Sequence, residues 1–260
     1  MTDEKKAPPA HVADIWANLR PLTAARIGLK RTGASLATEP LLDFRLAHAR
    51  ARDAVGADFD SARVASALSQ SGLPILTGES AAPDKRTYLM RPDLGRRLAP
   101  EIEASLGAKT AAGGFDVAIT VSDGLSAQAV EAHAAPLLLR VLPKLRDASL
   151  SVAPLAVLRH GRVAIGDRVA ELLGARCAVV LIGERPGLSA PDSMGAYLTW
   201  KPGASTTDAD RNCISNIRPD GIGYDDAAFK LVHLVLAIRA HGLSGVALKD
   251  TSDSPKIVSS

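Results

Sequence analysis

The sequence is poor in aromatic residues and in cysteine. Phe, Trp and Tyr make up 3% of its 260 residues, and its two cysteines, Cys177 and Cys213, stand far apart with no CxxC pair. A disulfide framework or a zinc cluster needs more thiols than this, so neither is predicted, and the composition fits a reducing compartment. A core with few aromatics is built mainly from Ala, Leu, Val and Ile, which favours a helix-rich or α/β fold over an all-β sandwich.

A strong charge of one sign and long apolar runs are also lacking. Lys and Arg number 31 against 28 Asp and Glu, and this net charge of +3 is too small to predict a nucleic-acid partner. The start, MTDEKKAPPAHVADIW, has no apolar stretch like that of a signal peptide, and no run of about 18 apolar residues follows. We therefore expect a cytoplasmic protein without a membrane span.

The chain is predicted to have four parts. Residues 1–13 are expected to form a disordered lead and residues 251–260 a loose tail. Residues 14–98 read as a small helical domain, because apolar residues recur at helical spacing from Ile15, Trp16 and Leu19 onward and no convincing strand appears. Residues 99–250 read as an α/β domain.

Short β-branched runs alternate with Ala- and Leu-rich helical segments in the α/β part. Strands are predicted at 115–121, 150–158, 177–183 and 196–200, and helices at 125–133, 167–175 and 225–242. Strands that alternate with helices of this length indicate βαβ units. The predicted fold class is α/β, a Rossmann-like and mostly parallel sheet with flanking helices, preceded by the small N-terminal helical domain.

The loops that leave these strands are rich in Gly, Ser, Asp and Arg. In an open parallel sheet, ligands bind beyond the carboxyl ends of the strands. Glu184 and Arg185, between Gly183 and Pro186, form either a ligand clamp or a rigid turn, and Asn212 either contacts a ligand's amides or satisfies loop backbone. At Cys213 we expect a buried, unreactive thiol rather than a nucleophile.

The common enzyme signatures are missing. The sequence contains no HExxH, GxxxxGK[ST] or GxSxG, and GIGYDD at 221–226 lacks the third glycine of a dinucleotide fingerprint. No catalytic residue and no metal ligand is predicted. A stand-alone Rossmann-type enzyme that uses a nucleotide remains an alternative, with GIGYDD as its phosphate loop.

Arginines outnumber lysines in the helical part. They form either a solvated face or a docking surface for an acidic partner chain, since Arg suits desolvated ion pairs. A purely structural adaptor that docks through this surface is a third interpretation. The basic residues concerned are Arg26, Lys30, Arg31, Arg45, Arg50, Arg52, Arg91, Arg96 and Arg97.

Several longer motifs occur together in one order. They include YLMRPDLGRRL, VSDGLSAQAVEAHA, HGRVAIGD, LIGERPGLSAPDSMGAYLTW and TDADRNCISNIRPDGIGY, and they extend from about Thr23 to Asp250. This set resembles the small subunit of ethanolamine ammonia-lyase. The resemblance implies an adenosylcobalamin-dependent radical lyase of ethanolamine catabolism, which converts ethanolamine to acetaldehyde and ammonia. It also implies a hetero-oligomer in which a large subunit carries the substrate site and this chain covers the cobalamin.

The resemblance further implies which residues meet the cofactor. The family's cobalamin contacts fall on Val163, Glu184 and Cys213, and we expect Arg185 and Asn212 to support them. The sequence has no DxHxxG motif, which implies that the cofactor keeps its own base on cobalt. The N-terminus lacks the amphipathic helix that targets some relatives to a bacterial microcompartment, so we expect a free cytosolic enzyme.

Overall fold

A computed structural model describes residues 14–23 and 25–252 of the chain. The chain divides into two compact units, Met1–Ala49 and Arg50–Ser260. The predicted lead, 1–13, and residues 253–260 of the predicted tail lie outside the described residues.

The first unit has little regular structure before its long helix. A short 3-10 helix, Arg20–Leu22, precedes a two-stranded antiparallel ribbon of β1 (Arg31–Thr32) and β2 (Ser35–Leu36), and helix α1 (Thr38–Gly56) then begins. The helix expected from Ile15 onward is absent, and residues 15–19 form turns instead. Pro21 explains the difference, since its ring and missing N–H are tolerated only in the first turn of a helix.

A six-stranded mixed sheet forms the centre of the second unit. Its strand order is β3-β5-β4-β6-β7-β8; the first four strands in this order are parallel, and β7 and β8 are antiparallel to their neighbours. The predicted class, α/β with a mostly parallel sheet, is confirmed. The strands are β3 (Ile75–Glu79), β4 (Phe115–Ser122), β5 (Leu155–Arg159), β6 (Ala175–Gly183), β7 (Met194–Trp200) and β8 (Arg211–Ile217).

Helices cover both faces of this sheet. One apolar cluster joins α2, α5 and α7 to the sheet, and a second joins α4 and α6 to the opposite face. Leu137, Leu145 and Leu173 are fully buried in these layers, and truncating any of them to Ala is expected to cost about 2–5 kcal/mol. The helices are α2 (Ser61–Leu68), α3 (Lys85–Met90), α4 (Pro100–Gly107), α5 (Ala127–Asp147), α6 (Ile165–Leu173) and α7 (Tyr224–His241).

The sequence patterns missed the two strands of the short ribbon, β1 and β2, and two strands of the main sheet, β3 and β8. The prediction of no strand before residue 99 was wrong, because β3 pairs with β5 at the edge of the sheet. The predicted loop 201–221 was also wrong in part, because β8 occupies its middle. Strands β3 and β8 are the edge strands of the main sheet and have polar residues on their exposed sides, so neither shows the continuous apolar run of a central strand.

Two other boundaries differ from the predictions. Helix α5 continues past residue 133 to Asp147 and includes Pro136 and Pro143. The strand predicted from residue 150 begins only at Leu155, since Pro154 has no N–H for the ladder. Helix α7 ends as predicted, with Gly242 in the left-handed conformation, φ +67°.

Candidate functional site

An open cavity of about 490 Å³ lies where β4, β5 and β6 end. This edge holds the carboxyl ends of the parallel strands, where ligands of open α/β sheets bind. The loops after the three strands contribute most of its wall. The lining residues are Gly124 and Leu125, Arg162 to Ala164, Ile182 to Arg185, and, from other elements, Tyr88, Arg96, Tyr197 and Asp208.

Two glycines let the ends of β4 and β6 touch. Gly124 has φ +53°, and the Leu125 N–H donates to the Gly183 carbonyl at 3.0 Å. A Cβ on Gly183 would lie 2.2 Å from the Ser126 carbonyl oxygen. Because only glycine permits this approach, the two loops form one closed surface under the cavity.

A buried ion pair lies beneath the loop that follows β5. Asp123 is 1% exposed; its Oδ2 lies 3.3 Å from Lys85 Nζ, and its Oδ1 accepts from the His160 N–H at 2.6 Å. His160 is itself buried with φ +57°, an unusual conformation for a residue with a Cβ. The carboxylate thus fixes the start of the loop that carries Arg162 and Val163.

Tyr88 and Arg162 form one side of the cavity. The Arg162 guanidinium lies 4.5 Å from the centroid of the Tyr88 ring and donates to the Tyr88 carbonyl at 3.0 Å. Burial raises the pKa of the Tyr88 hydroxyl to about 12. Within the described residues, the buried Nε of Arg162 has no hydrogen-bond partner.

Glu184 is held at one oxygen by its own hairpin and by β8. Its Oε2 accepts from the Ser193 hydroxyl and, at 3.1 Å, from the Asn216 N–H. Gly195 makes room for it, since a Cβ there would lie 3.0 Å from Glu184 Oε1 and 3.2 Å from the Tyr197 ring. The carboxylate is therefore fixed against Tyr197 at the cavity wall.

Cys213 lies across the β-ladder from Tyr197. The two residues are register partners of β8 and β7, and Tyr197 lines the cavity. Cys213 is exposed, so the expectation of a buried thiol there was wrong; Cys177 is the buried cysteine. Burial raises the pKa of Tyr197, and the neighbouring Cys213 and Glu184 raise it further. Tyr197 was not among the predicted site residues, although strand alternation places it on the face of β7 opposite to that of Leu198.

The five predicted cofactor residues are only partly brought together. Val163, Glu184 and Arg185 line the cavity, and Cys213 adjoins Tyr197. Asn212 does not line it: its amide donates to the carbonyls of Gly245 and Leu248 and accepts from the Gly245 N–H at 2.8 Å, which holds the C-terminal segment.

A buried ion pair lies next to Asp208, which lines the cavity. Arg211 is buried, and both of its terminal nitrogens lie 2.7 Å from the carboxylate oxygens of Asp167. Burial works against its charge, but the bonds to Asp167 prevail and raise the pKa of Arg211. Asp208 borders the cavity 3.4 Å from the same guanidinium.

Two negative findings concern only residues 14–23 and 25–252. No three His, Cys, Asp or Glu side chains there are placed to hold a metal ion, and no helix among them has the length and apolarity to cross a bilayer. Gly221 and Gly223 of GIGYDD precede α7 and do not line the cavity.

Comparison with known proteins gives consistent matches along the chain. Residues 13–249 match the family described as ethanolamine ammonia-lyase light chain (EutC). The chain is 51% identical over 258 residues to the ethanolamine ammonia-lyase small subunit of Ralstonia nicotianae, covering 98% of this chain and 96% of that protein. It is 52% identical over 244 residues to the small subunit of Azotobacter vinelandii, covering 93% and 90%. The small subunit of Rhodopseudomonas palustris is 52% identical over 235 residues, 90% of each chain.

Proposed function

The chain belongs to the ethanolamine ammonia-lyase light-chain family, a subunit of a lyase complex, and we propose that it covers one side of adenosylcobalamin in that complex. The reaction is the conversion of ethanolamine to acetaldehyde and ammonia, with the substrate site on the large subunit. The observation that carries the proposal is the cavity at the sheet edge, which Val163 and Glu184 line and Cys213 adjoins.

The chemistry of the cavity suits a corrinoid. A corrin ring has broad apolar faces and a fringe of amide groups. Leu125, Val163 and Ile182 offer apolar surface, whereas the Glu184 carboxylate offers an acceptor for amide N–H groups. Arg162 also lines the cavity, and its buried Nε has no hydrogen-bond partner among the described residues.

Adenosylcobalamin, when bound, would supply the radical chemistry of the reaction. This chain's residues bind, orient and shield. Glu184 accepts hydrogen bonds from a fixed position, because Ser193 and the Asn216 N–H hold its other oxygen. Tyr197 keeps its proton, since its raised pKa favours the neutral phenol, and it presents its ring to the ligand. Arg185 and Asn212 act in support, Asn212 through the backbone of the C-terminal segment.

The N-terminal part is proposed to dock on the large subunit. Large apolar side chains are exposed throughout the described part of the first unit, and only Ala54 of α1 is buried. Exposed apolar patches of this kind mark interaction sites. The exposed side chains are Ile15, Trp16, Leu19, Leu22, Leu36, Leu42, Phe44 and Leu46.

Three finer points belong to the same proposal. Helices on both faces of the sheet and a cavity at the carboxyl ends support the Rossmann-like description of residues 99–250. Docking through the N-terminal part is tested by deleting 14–49 and measuring co-purification with the large subunit. A cytoplasmic location is tested by cell fractionation.

The cofactor proposal is tested with Glu184→Ala in the complex of both subunits. Loss of the carboxylate is expected to weaken cyanocobalamin binding by about tenfold or more, measured by equilibrium dialysis. Glu184→Gln keeps a hydrogen-bond acceptor, and its affinity for cyanocobalamin is expected to lie between those of the wild type and Glu184→Ala. Glu101→Ala, at an exposed position of α4 outside the cavity, is the control. Unchanged affinity in Glu184→Ala would overturn the role of Glu184.

A second readout uses the exposed thiol. Cyanocobalamin is expected to slow alkylation of Cys213 in the complex, followed by mass spectrometry of its peptide. Cys177 is buried and serves as the internal control. A Cys213 alkylation rate that is the same with and without cobalamin would contradict the placement of the ligand.

A further inference from the structure

We infer that Arg162 and Arg96 form a phosphate-binding subsite in the cavity and that it takes the phosphodiester of the cobalamin nucleotide loop. The inference rests on the proposed function and adds to it a ligand group and two residues outside the expected set. Its basis is an imbalance of charge in the cavity wall.

Three arginines and two carboxylates line the cavity. Two neutral donors, the Ser193 hydroxyl and the Asn216 N–H, hold the Glu184 carboxylate, and Asp208 lies 3.4 Å from Arg211, which also pairs with Asp167. Among the described residues, by contrast, no carboxylate pairs with Arg96, Arg162 or Arg185. The cavity wall thus holds three guanidinium groups against two carboxylates, and none of the three pairs with a carboxylate of the described chain.

Arg162 is the best oriented of these arginines. Its N–H donates to the Gly95 carbonyl at 2.7 Å, and its guanidinium packs on the Tyr88 ring and donates to the Tyr88 carbonyl. Gly95 allows this packing, since a Cβ there would lie 3.0 Å from Arg162 Cγ. One donor, Nε, stays buried without a partner in the described chain. A guanidinium fixed in this way is suited to bind a phosphate through two parallel hydrogen bonds.

Arg96 differs from the arginines beside it. Arg91 and Arg97 both pair with Asp93, at 2.7 Å and 3.4 Å. Arg96 lies between them in sequence, has no such partner among the described residues, and lines the cavity together with Arg162. Asp93 thus pairs with Arg91 and Arg97, and the guanidinium of Arg96 remains available to bind a ligand.

The phosphate group in this subsite could come from the cofactor or from free inorganic phosphate, and binding measurements distinguish the two. Cobalamin has one phosphodiester, and cobinamide is the same corrinoid without the phosphate and nucleotide. Inorganic phosphate is the free form. A subsite for the cofactor's phosphate predicts stronger binding of cobalamin than of cobinamide, whereas a site for free phosphate predicts no such difference.

The experiment measures the affinity of the complex of both subunits for cyanocobalamin and for cobinamide. Arg162→Met keeps the side-chain stem against Tyr88, Arg96→Ala changes an exposed residue, and Arg97→Ala is the matched control because it lines only the adjoining groove. Assembly of each variant is checked by size-exclusion chromatography. We expect Arg162→Met and Arg96→Ala each to weaken cobalamin binding by about tenfold and cobinamide binding by less than about twofold, with no effect of Arg97→Ala.

The outcomes separate the two proposals. Equal losses for both corrinoids, or no loss for cobalamin, would overturn the phosphate subsite. Competition by inorganic phosphate is the second readout: it should weaken cobalamin binding to the wild-type complex and do so less in Arg162→Met. If phosphate competes equally well in the wild type and in Arg162→Met, the inference is overturned. It is also overturned if phosphate competes but cobalamin and cobinamide bind equally tightly, because the site would then bind free phosphate. If the large subunit alone binds cobalamin as tightly as the complex does, the proposed function itself fails.

Discussion

Replacing Asp123 by Asn should destabilise the chain and loosen the loop that carries Arg162. The exchange keeps an oxygen for the His160 N–H but removes the negative charge that faces Lys85 Nζ at 3.3 Å. Lys85 would remain 16% exposed, with the Gly124 carbonyl at 3.1 Å as its remaining partner.

The size of the effect follows from burial. Breaking a buried ion pair costs about 3–5 kcal/mol, and since Lys85 retains some solvent, we expect about 3 kcal/mol for Asp123→Asn. Asp123→Ala also leaves the buried His160 N–H without a partner, which adds about 1–3 kcal/mol. Lys85→Met leaves the carboxylate unpaired and is also destabilising. The double variant Lys85→Met/Asp123→Asn removes both charges and should lose about 2 kcal/mol less than the sum of the single variants.

Urea unfolding of the full-length chain at 25 °C measures these free energies. The double-mutant cycle isolates the pair, because each single variant removes one charge. A coupling energy near zero, or a loss below about 1 kcal/mol in Asp123→Asn, would refute the view that this pair fixes the loop.

Three further predictions concern titration, reactivity and packing. Burial raises the pKa of Tyr88 to about 12 and also raises the pKa values of Tyr197 and Tyr224, so absorbance at 295 nm near pH 10 should rise less in the native chain than in the unfolded chain; stability should fall above pH 10, where the unfolded state loses these protons first. An equal rise in both states would contradict this. One thiol, Cys213, should react with Ellman's reagent in the native chain, while Cys177, whose pKa burial raises to about 12, should react only after unfolding; two fast thiols would refute the assignment. Gly183→Ala should destabilise by about 2 kcal/mol or more, as its Cβ would lie 2.2 Å from the Ser126 carbonyl, whereas Gly203→Ala meets nothing within 4 Å and should be near neutral; equal effects would refute the close packing. The tyrosines are Tyr88, Tyr197 and Tyr224.

The central strands were predictable because burial on both faces leaves a plain signal. Residues 115–121 and 177–183 are apolar and β-branched runs, and the structure has β4 and β6 there. The strands β3 and β8 gave no such signal, since each has a solvated side, and the polar residues of RNCISNI are also typical of loops. Local pattern does not tell an exposed strand edge from a loop; the pairing partner decides it.

The position of the candidate site could be predicted from the sequence, but the full set of residues that line it could not. The rule for parallel sheets placed it at the correct strand ends, and three of the expected residues, Val163, Glu184 and Arg185, line the cavity. Tyr88 and Arg96 come from segments far away in the sequence, and only the folded chain brings them there. Arg96 looked like its neighbours Arg91 and Arg97 in the sequence, and only the pairing of those two with Asp93 separates it from them.

The strand order of the sheet has a consequence for how the binding surface assembles. Strands β6, β7 and β8 form a meander whose pairings, such as Cys177 with Trp200, close short loops of chain. Strand β3, in contrast, pairs with β5 across the long interval from Ile75 to Leu155. Loop-closure entropy and contact order favour early formation of the meander. The Glu184–Tyr197–Cys213 half of the surface should therefore form locally during folding, and the Tyr88–Arg162 half should join it only when the long-range edge closes.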